Sequence, residues 1–171
     1  LLTGWAYSAP PFKLQSRGFG EFGITAAWLL IVIGSDFVQR HEFSFAPVAA
    51  GLGFALLVAN VLFINQFPDV KADGQTGKRT VVVIFGVQRA RWGYGLIALL
   101  CYGWVLLMTL LGKLPDAALI TILPAFASFK AGQILMDHAA EPGQLAAGIK
   151  LTILAASLHG LLLSLVLALF N

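Results

Sequence analysis

Long apolar blocks, separated by short polar segments, set the pattern of this chain. The blocks lack the strict alternation of half-buried strands, so they predict helices. Leu1 to about Tyr7 reads as the tail of a helix, stopped at Ser8-Ala9-Pro10-Pro11 because proline cannot continue one. Phe12 to Glu21 is a loop with Lys13, Arg17, Gly18 and Gly20. Phe22 to about Ser35, extending to Phe37, is the first full apolar helix, and it is short for a span of roughly 20 residues. A polar loop of Asp36, Arg40, His41 and Glu42 follows. Pro47 to about Phe67 is the next span. Its Gly51, Ala55 and Ala59 recur every fourth residue and would admit a close neighbour, while Asn60 predicts an interhelical hydrogen bond. Pro68 is expected to kink or loosen the helix where this span ends.

Thr80 to Phe85 reads as an extended or loosely helical connection closed by Gly86. Helical pattern returns from Val87 to about Leu111, then from Leu114 to about Met136, with a kink expected at Pro124. Asp137 to Gln144 is a polar loop, and Leu145 to Phe170 is the last span. The expected architecture is an all-α, polytopic membrane protein: about five full transmembrane helices plus the end of a sixth, in one domain over residues 1–171. Because the chain opens Leu1-Leu2-Thr3 rather than on Met, it is expected to be a fragment whose N-terminal helices are missing.

Composition agrees with the membrane reading: 58% of residues are hydrophobic and 11% are charged, against about 25% charged in ordinary soluble domains. With a single cysteine, Cys101, an intrachain disulfide framework and a cysteine-based metal cluster are excluded. If all five spans cross, one side holds Lys13, Arg17, Lys71, Lys78, Arg79, Arg89, Arg91, Lys130 and Lys150, leaving only Arg40 and Lys113 opposite. By the positive-inside rule the first side is cytoplasmic, which suits a cell inner or plasma membrane. Trp5 and Trp92 would anchor that interface, while Trp28 and Trp104 read as packing residues.

One polar stretch interrupts the apolar pattern: Asn65-Gln66-Phe67-Pro68-Asp69-Val70-Lys71-Ala72-Asp73, continuing to Gly77-Lys78-Arg79-Thr80. Asn65, Asp69 and Asp73 are four residues apart and share one helix face. Carboxylates are hard ligands suited to Mg²⁺, and Lys and Arg suit phosphate oxygens. A lipid diphosphate would place its head at this loop and its tail between helices. On spacing alone, that site and a solvated loop whose acids and bases merely pair weigh equally. His159 reads as a packing histidine, and Asp137, His138 and Glu141 as a hydrated loop. Lys130 would either face a cavity or snorkel.

Asn65-x-x-x-Asp69-x-x-x-Asp73, with Gly77-Lys78-Arg79-Thr80 and Gly86, resembles the second aspartate-rich motif of the UbiA superfamily of membrane prenyltransferases. Tyr7-Ser8-Ala9-Pro10-Pro11-Phe12-Lys13-Leu14 and Arg17-Gly18-Phe19-Gly20-Glu21 resemble the loop between that family's fourth and fifth helices. The resemblance covers essentially the whole chain, as the C-terminal part of a nine-helix bundle. It implies Mg²⁺-dependent transfer of a prenyl group from a polyprenyl diphosphate to an aromatic acceptor within the membrane, with membrane lipid and no nucleic acid as surroundings. Asp69 and Asp73 would bind Mg²⁺ and act in catalysis, and Tyr7 and Ser8 would lie near the reacting end. Asn65, Lys78, Arg79 and Lys13 would serve the diphosphate. The wording Ile64-Asn65-Gln66-Phe67-Pro68-Asp69 and the Lys150-Leu151-Thr152 region look most like the quinone-related branch, including 1,4-dihydroxy-2-naphthoate prenyltransferases.

Three departures accompany the resemblance. The family's first aspartate-rich motif is absent, so this chain alone is expected to be inactive. Gly74 stands where a basic residue is common, and Val83-Ile84-Phe85-Gly86 replaces a frequent Val-Arg-Leu-Gly. The Asp73-Gly74-Gln75-Thr76-Gly77-Lys78 echo of CDP-alcohol phosphotransferases fails, because no aspartate follows until Asp116. A cation-coupled transporter and a non-catalytic membrane scaffold stay as alternatives. The five nearby basic residues favour phosphate over an ion site, since transporter sites usually lie near the midplane.

Overall fold

The computed structural model describes residues 2–170. The described residues form seven α-helices: α1 (Leu2–Ser8), α2 (Gly20–Arg40), α3 (Ala46–Gln75), α4 (Val81–Phe85), α5 (Val87–Leu110), α6 (Ala125–His138) and α7 (Ala146–Phe170). Among the described residues no strand occurs. Among the described residues, five helical segments are long and apolar enough to cross a membrane: α2, α3, α5, Asp116–His138 and α7. The chain is therefore an integral, multi-pass helical protein.

α3 is the axis of the bundle. Its buried set, including Ala49, Gly51, Gly53, Ala55, Leu57 and Asn60, runs all round the helix rather than along one stripe, as expected for a helix enclosed by others. α2, α5 and α7 pack on it, and α6 packs mainly on α7. The small-residue stripe works as expected on the α2 side, where a Cβ at Gly51 would lie 2.9 Å from Val32. Asn60 donates from Nδ2 to the Tyr94 carbonyl on α5 at 3.2 Å. Tyr94 in turn bonds Thr152 of α7, O to O at 2.8 Å. One core cluster gathers Phe63, Ile64, Phe67, Tyr94, Ala131 and Leu135 beneath the aspartate end.

Trp28 and Trp104 pack as expected. Trp28 meets Phe54 edge-on at 5.6 Å, and Trp104 Nε1 donates to the Ala49 carbonyl at 3.0 Å. His159 is fully buried and its Nδ1 lies 2.9 Å from the Thr121 carbonyl. Lys130 is exposed, with its ammonium 5.1 Å from the Phe126 ring centroid.

Four boundaries differ from the sequence expectation. α2 has 21 residues, so it is long enough to span without help. α3 does not end near Phe67: it has 30 residues and passes through Pro68. Proline removes one backbone donor, but the neighbouring turns are held by packing of Ile64 and Phe67, both fully buried. Val81–Phe85 forms a short helix, with the Thr80 side chain accepting from the Val83 N–H. At Pro124 the predicted kink is a full break between a 3₁₀ segment, Asp116–Ile122, and α6.

Candidate diphosphate site at one end of the bundle

Because α3 continues past Pro68, Asn65, Asp69 and Asp73 are carried on its last turns as rigid helix positions. Their surroundings differ. Asn65 turns its amide back onto its own helix, donating to the Val61 carbonyl at 2.7 Å. Asp69 is exposed. Asp73 is 9% exposed. One of its carboxylate oxygens, Oδ1, lies 3.2 Å from the Lys78 ammonium, and the other, Oδ2, is buried with no partner.

Local backbone chemistry explains how Lys78 returns to Asp73. Gly77 has φ +75°, a left-handed conformation that glycine reaches without a Cβ penalty. The Lys78 N–H then bonds the Asp73 carbonyl at 2.9 Å, closing the helix end. One residue later the chain meets the upstream loop, where the Arg79 N–H donates to the Ser16 carbonyl at 3.1 Å. Gly18, at φ +79°, lets the loop approach so closely that a Cβ would lie 2.9 Å from Ile84 Cδ1.

This docking unites the two motifs in space. A cleft of about 370 Å³ is lined by Lys13, Ser16, Arg17, Thr76, Gly77 and Lys78. Three cationic residues thus line one polar hollow beside Asp73 together with Ser16 and with Thr76, whose hydroxyl donates to the Asp73 carbonyl at 3.0 Å. The arrangement can accept a polyanion through charge-assisted hydrogen bonds. Arg79 is exposed and contributes its backbone to the loop junction. Tyr7 and Ser8 lie outside the cleft lining. Tyr7 is half-buried, its ring against Gly23, and Ser8 is exposed.

Sequence reasoning did not assign Ser16, Arg17 and Thr76 to the cleft. Arg17 stood inside the quoted loop motif, and Thr76 stood between Asp73 and Lys78, so a signal existed for both. Nor did it find the pairing of buried Gln66 with Glu21, in which Gln66 Nε2 donates to a Glu21 carboxylate oxygen. That bond ties α2 to α3 below the cleft.

Among the described residues no group of three or more His, Cys, Asp and Glu side chains forms a metal cluster. His138 lies 3.5 Å from Glu141 on an exposed loop, a simple pair. Two carboxylates one turn apart nevertheless suit Mg²⁺, which usually takes one or two protein carboxylates and fills its shell with waters and substrate phosphates. Asp73 Oδ2 is a buried carboxylate oxygen without a partner, as is Asp36 Oδ2 on α2.

The model of the UbiA prenyltransferase family matches residues 1–154. The chain belongs to the UbiA prenyltransferase family. A similar protein is 2-carboxy-1,4-naphthoquinone phytyltransferase, chloroplastic, of Arabidopsis thaliana, 26% identical over 81% of this chain and 37% of that one. Bacteriochlorophyll synthase 33 kDa chain of Cereibacter sphaeroides is 26% identical over 82% of this chain and 48% of its own length. For 1,4-dihydroxy-2-naphthoate octaprenyltransferase of Escherichia coli the figures are 30%, 49% and 29%. The UbiA chain described here spans less than half the length of these curated relatives. No solved structure matches it.

Proposed function

We propose that this UbiA-family chain supplies the second half of a site for Mg²⁺-dependent transfer of a prenyl group from a polyprenyl diphosphate to an aromatic acceptor. The observation that carries the reading is the convergence of Lys13, Arg17 and Lys78 on one cleft beside the half-satisfied Asp73. The UbiA relatives whose names mention naphthoate or naphthoquinone favour a quinone precursor as acceptor.

Lys13, Arg17 and Lys78 would bind phosphate oxygens and orient the diphosphate with its carbon chain toward the helices. Asp69 and Asp73 would hold Mg²⁺, with Asn65 one turn before them. A Mg²⁺ ion held by these residues would supply charge to offset the negative charge growing on the leaving diphosphate. The C–O bond to the prenyl carbon breaks with its electron pair going to the diphosphate. The electron-rich acceptor ring forms the new C–C bond and then loses a proton. Cations already in place need no reorganisation as that charge develops. Tyr7 and Ser8, on the helix entering the loop, would lie near the reacting end. The opposing aspartate-rich motif would come from N-terminal helices of the same protein, so the 171 residues alone would not turn over. The aspartate end would face the cytoplasm.

The test is prenyl transfer by the full-length protein carrying Asp69→Asn. A loss of on the order of 100-fold is expected, the scale seen when one charge-stabilising group is removed. Wild-type turnover in that variant would show that the site is assigned to the wrong residues.

A further inference from the structure

A second cavity, of about 580 Å³, lies between α5 and α6 and shares no lining residue with the cleft. Gly95, Ala98 and Gly132 stand along its walls. Small residues on facing membrane helices normally let them close. Here Gly132 closes on the Tyr94 ring, 3.5 Å from where its Cβ would lie, but Gly95 does not: a Cβ there would find nothing within 4 Å, which leaves a groove. The tyrosines below it satisfy their hydroxyls with protein partners, Tyr94 with Thr152 and Tyr102 with Ser128 at 2.9 Å. The wall is therefore apolar despite its hydroxyl groups.

Charge appears only at the mouth, where Arg91 and Asp137 both line the groove. Arg91 Nη1 donates to the Met136 carbonyl at 2.6 Å, which fixes the guanidinium across the opening. Its Nε is buried without a partner. The ion pairs among the described residues include neither Arg91 nor Asp137, so both charges line the groove without a salt bridge between them. Exposed Trp92 flanks them, as interfacial aromatics do. From Arg91 down to Tyr102 the helix rises about 16 Å at ~1.5 Å per residue. That depth is about half of the ~30 Å hydrocarbon core, the reach of one acyl chain in one leaflet.

We propose that the α5–α6 groove is a binding site for a phospholipid whose head carries both a phosphate and a primary ammonium, such as phosphatidylethanolamine. The phosphate meets Arg91, the ammonium donates to Asp137, and one acyl chain lies along Gly95 and Ala98. A purely anionic head would leave Asp137 facing like charge. A quaternary ammonium has no N–H to donate to it. The site stands apart from the diphosphate cleft and does not depend on its function.

The experiment is native mass spectrometry of the delipidated full-length protein after incubation with equimolar phosphatidylethanolamine, phosphatidylglycerol and phosphatidylcholine of identical acyl chains. Retention of phosphatidylethanolamine severalfold above the other two is expected. Arg91→Gln and Asp137→Asn should each abolish that preference. Gly95→Leu, whose Cβ would meet nothing within 4 Å, should lose the retained lipid without a fall in unfolding temperature. Equal retention of the three lipids, preference for phosphatidylglycerol, or unchanged binding by these variants would overturn the proposal. So would displacement of the lipid by a polyprenyl diphosphate, since the groove would then be a channel for the donor's tail.

Discussion

Asp73 and Lys78 are joined on one side only: the ammonium lies 3.2 Å from Oδ1, while Oδ2 is buried and partnerless. A carboxylate so placed is short of one positive partner. The pair also leaves Lys78 36% exposed and turned into the cleft with Lys13 and Arg17, where a phosphate oxygen can reach it. Lys78→Met in the full-length protein should therefore raise KM for the prenyl diphosphate roughly 10- to 100-fold, the worth of one charge-assisted hydrogen bond. Lys78→Arg should recover most of the loss. Steady-state kinetics with the donor varied checks both.

The cleft exists because a loop from before α2 docks on the chain after α3, and Gly18 permits the approach. Gly18→Val places a β-branched residue at φ +79° and drives it against Ile84 Cδ1. The left-handed backbone alone should cost about 1–2 kcal/mol. Adding Ile84→Ala should relieve the steric part and leave the backbone part. Thermal unfolding of the two variants in detergent separates the contributions, and donor KM should rise in Gly18→Val.

Beneath the cleft, Gln66 donates to Glu21 from the buried side of α3. Gln66→Leu removes that donor and leaves the carboxylate unsatisfied where water reaches it only in part, a loss of about 1–3 kcal/mol. The double variant with Glu21→Leu should lose less than the single one, because two apolar groups replace the pair. A double-mutant cycle on the unfolding temperature measures the coupling.

The parts of this structure that were legible in the sequence are those set by neighbours along the chain. Helix periodicity placed Asn65, Asp69 and Asp73 on one face, and proline chemistry marked Pro124 as an irregularity, though as a kink rather than the break that is found. The return of Lys78 depended on a left-handed Gly77, which the glycine hinted at but did not dictate. Gln66 and Glu21 lie 45 residues apart, and nothing local couples them. Pro68 misled because its cost is local while the packing that carries α3 through it is not. The resemblance to the family supplied Lys13, Lys78 and Arg79, but only the docking of the Arg79 backbone on Ser16 brought Arg17 in and set it and Lys13 beside Lys78.

The central claim is that Lys13 and Lys78, from two distant segments, hold one diphosphate beside Asp73. Calorimetric titration of the full-length protein with a non-reactive polyprenyl thiodiphosphate, in the presence of Mg²⁺, tests it most directly. Lys13→Ala and Lys78→Ala together should weaken binding by about 100-fold or more, as expected for two charge-assisted contacts. Affinity equal to wild type in the double variant would contradict the account.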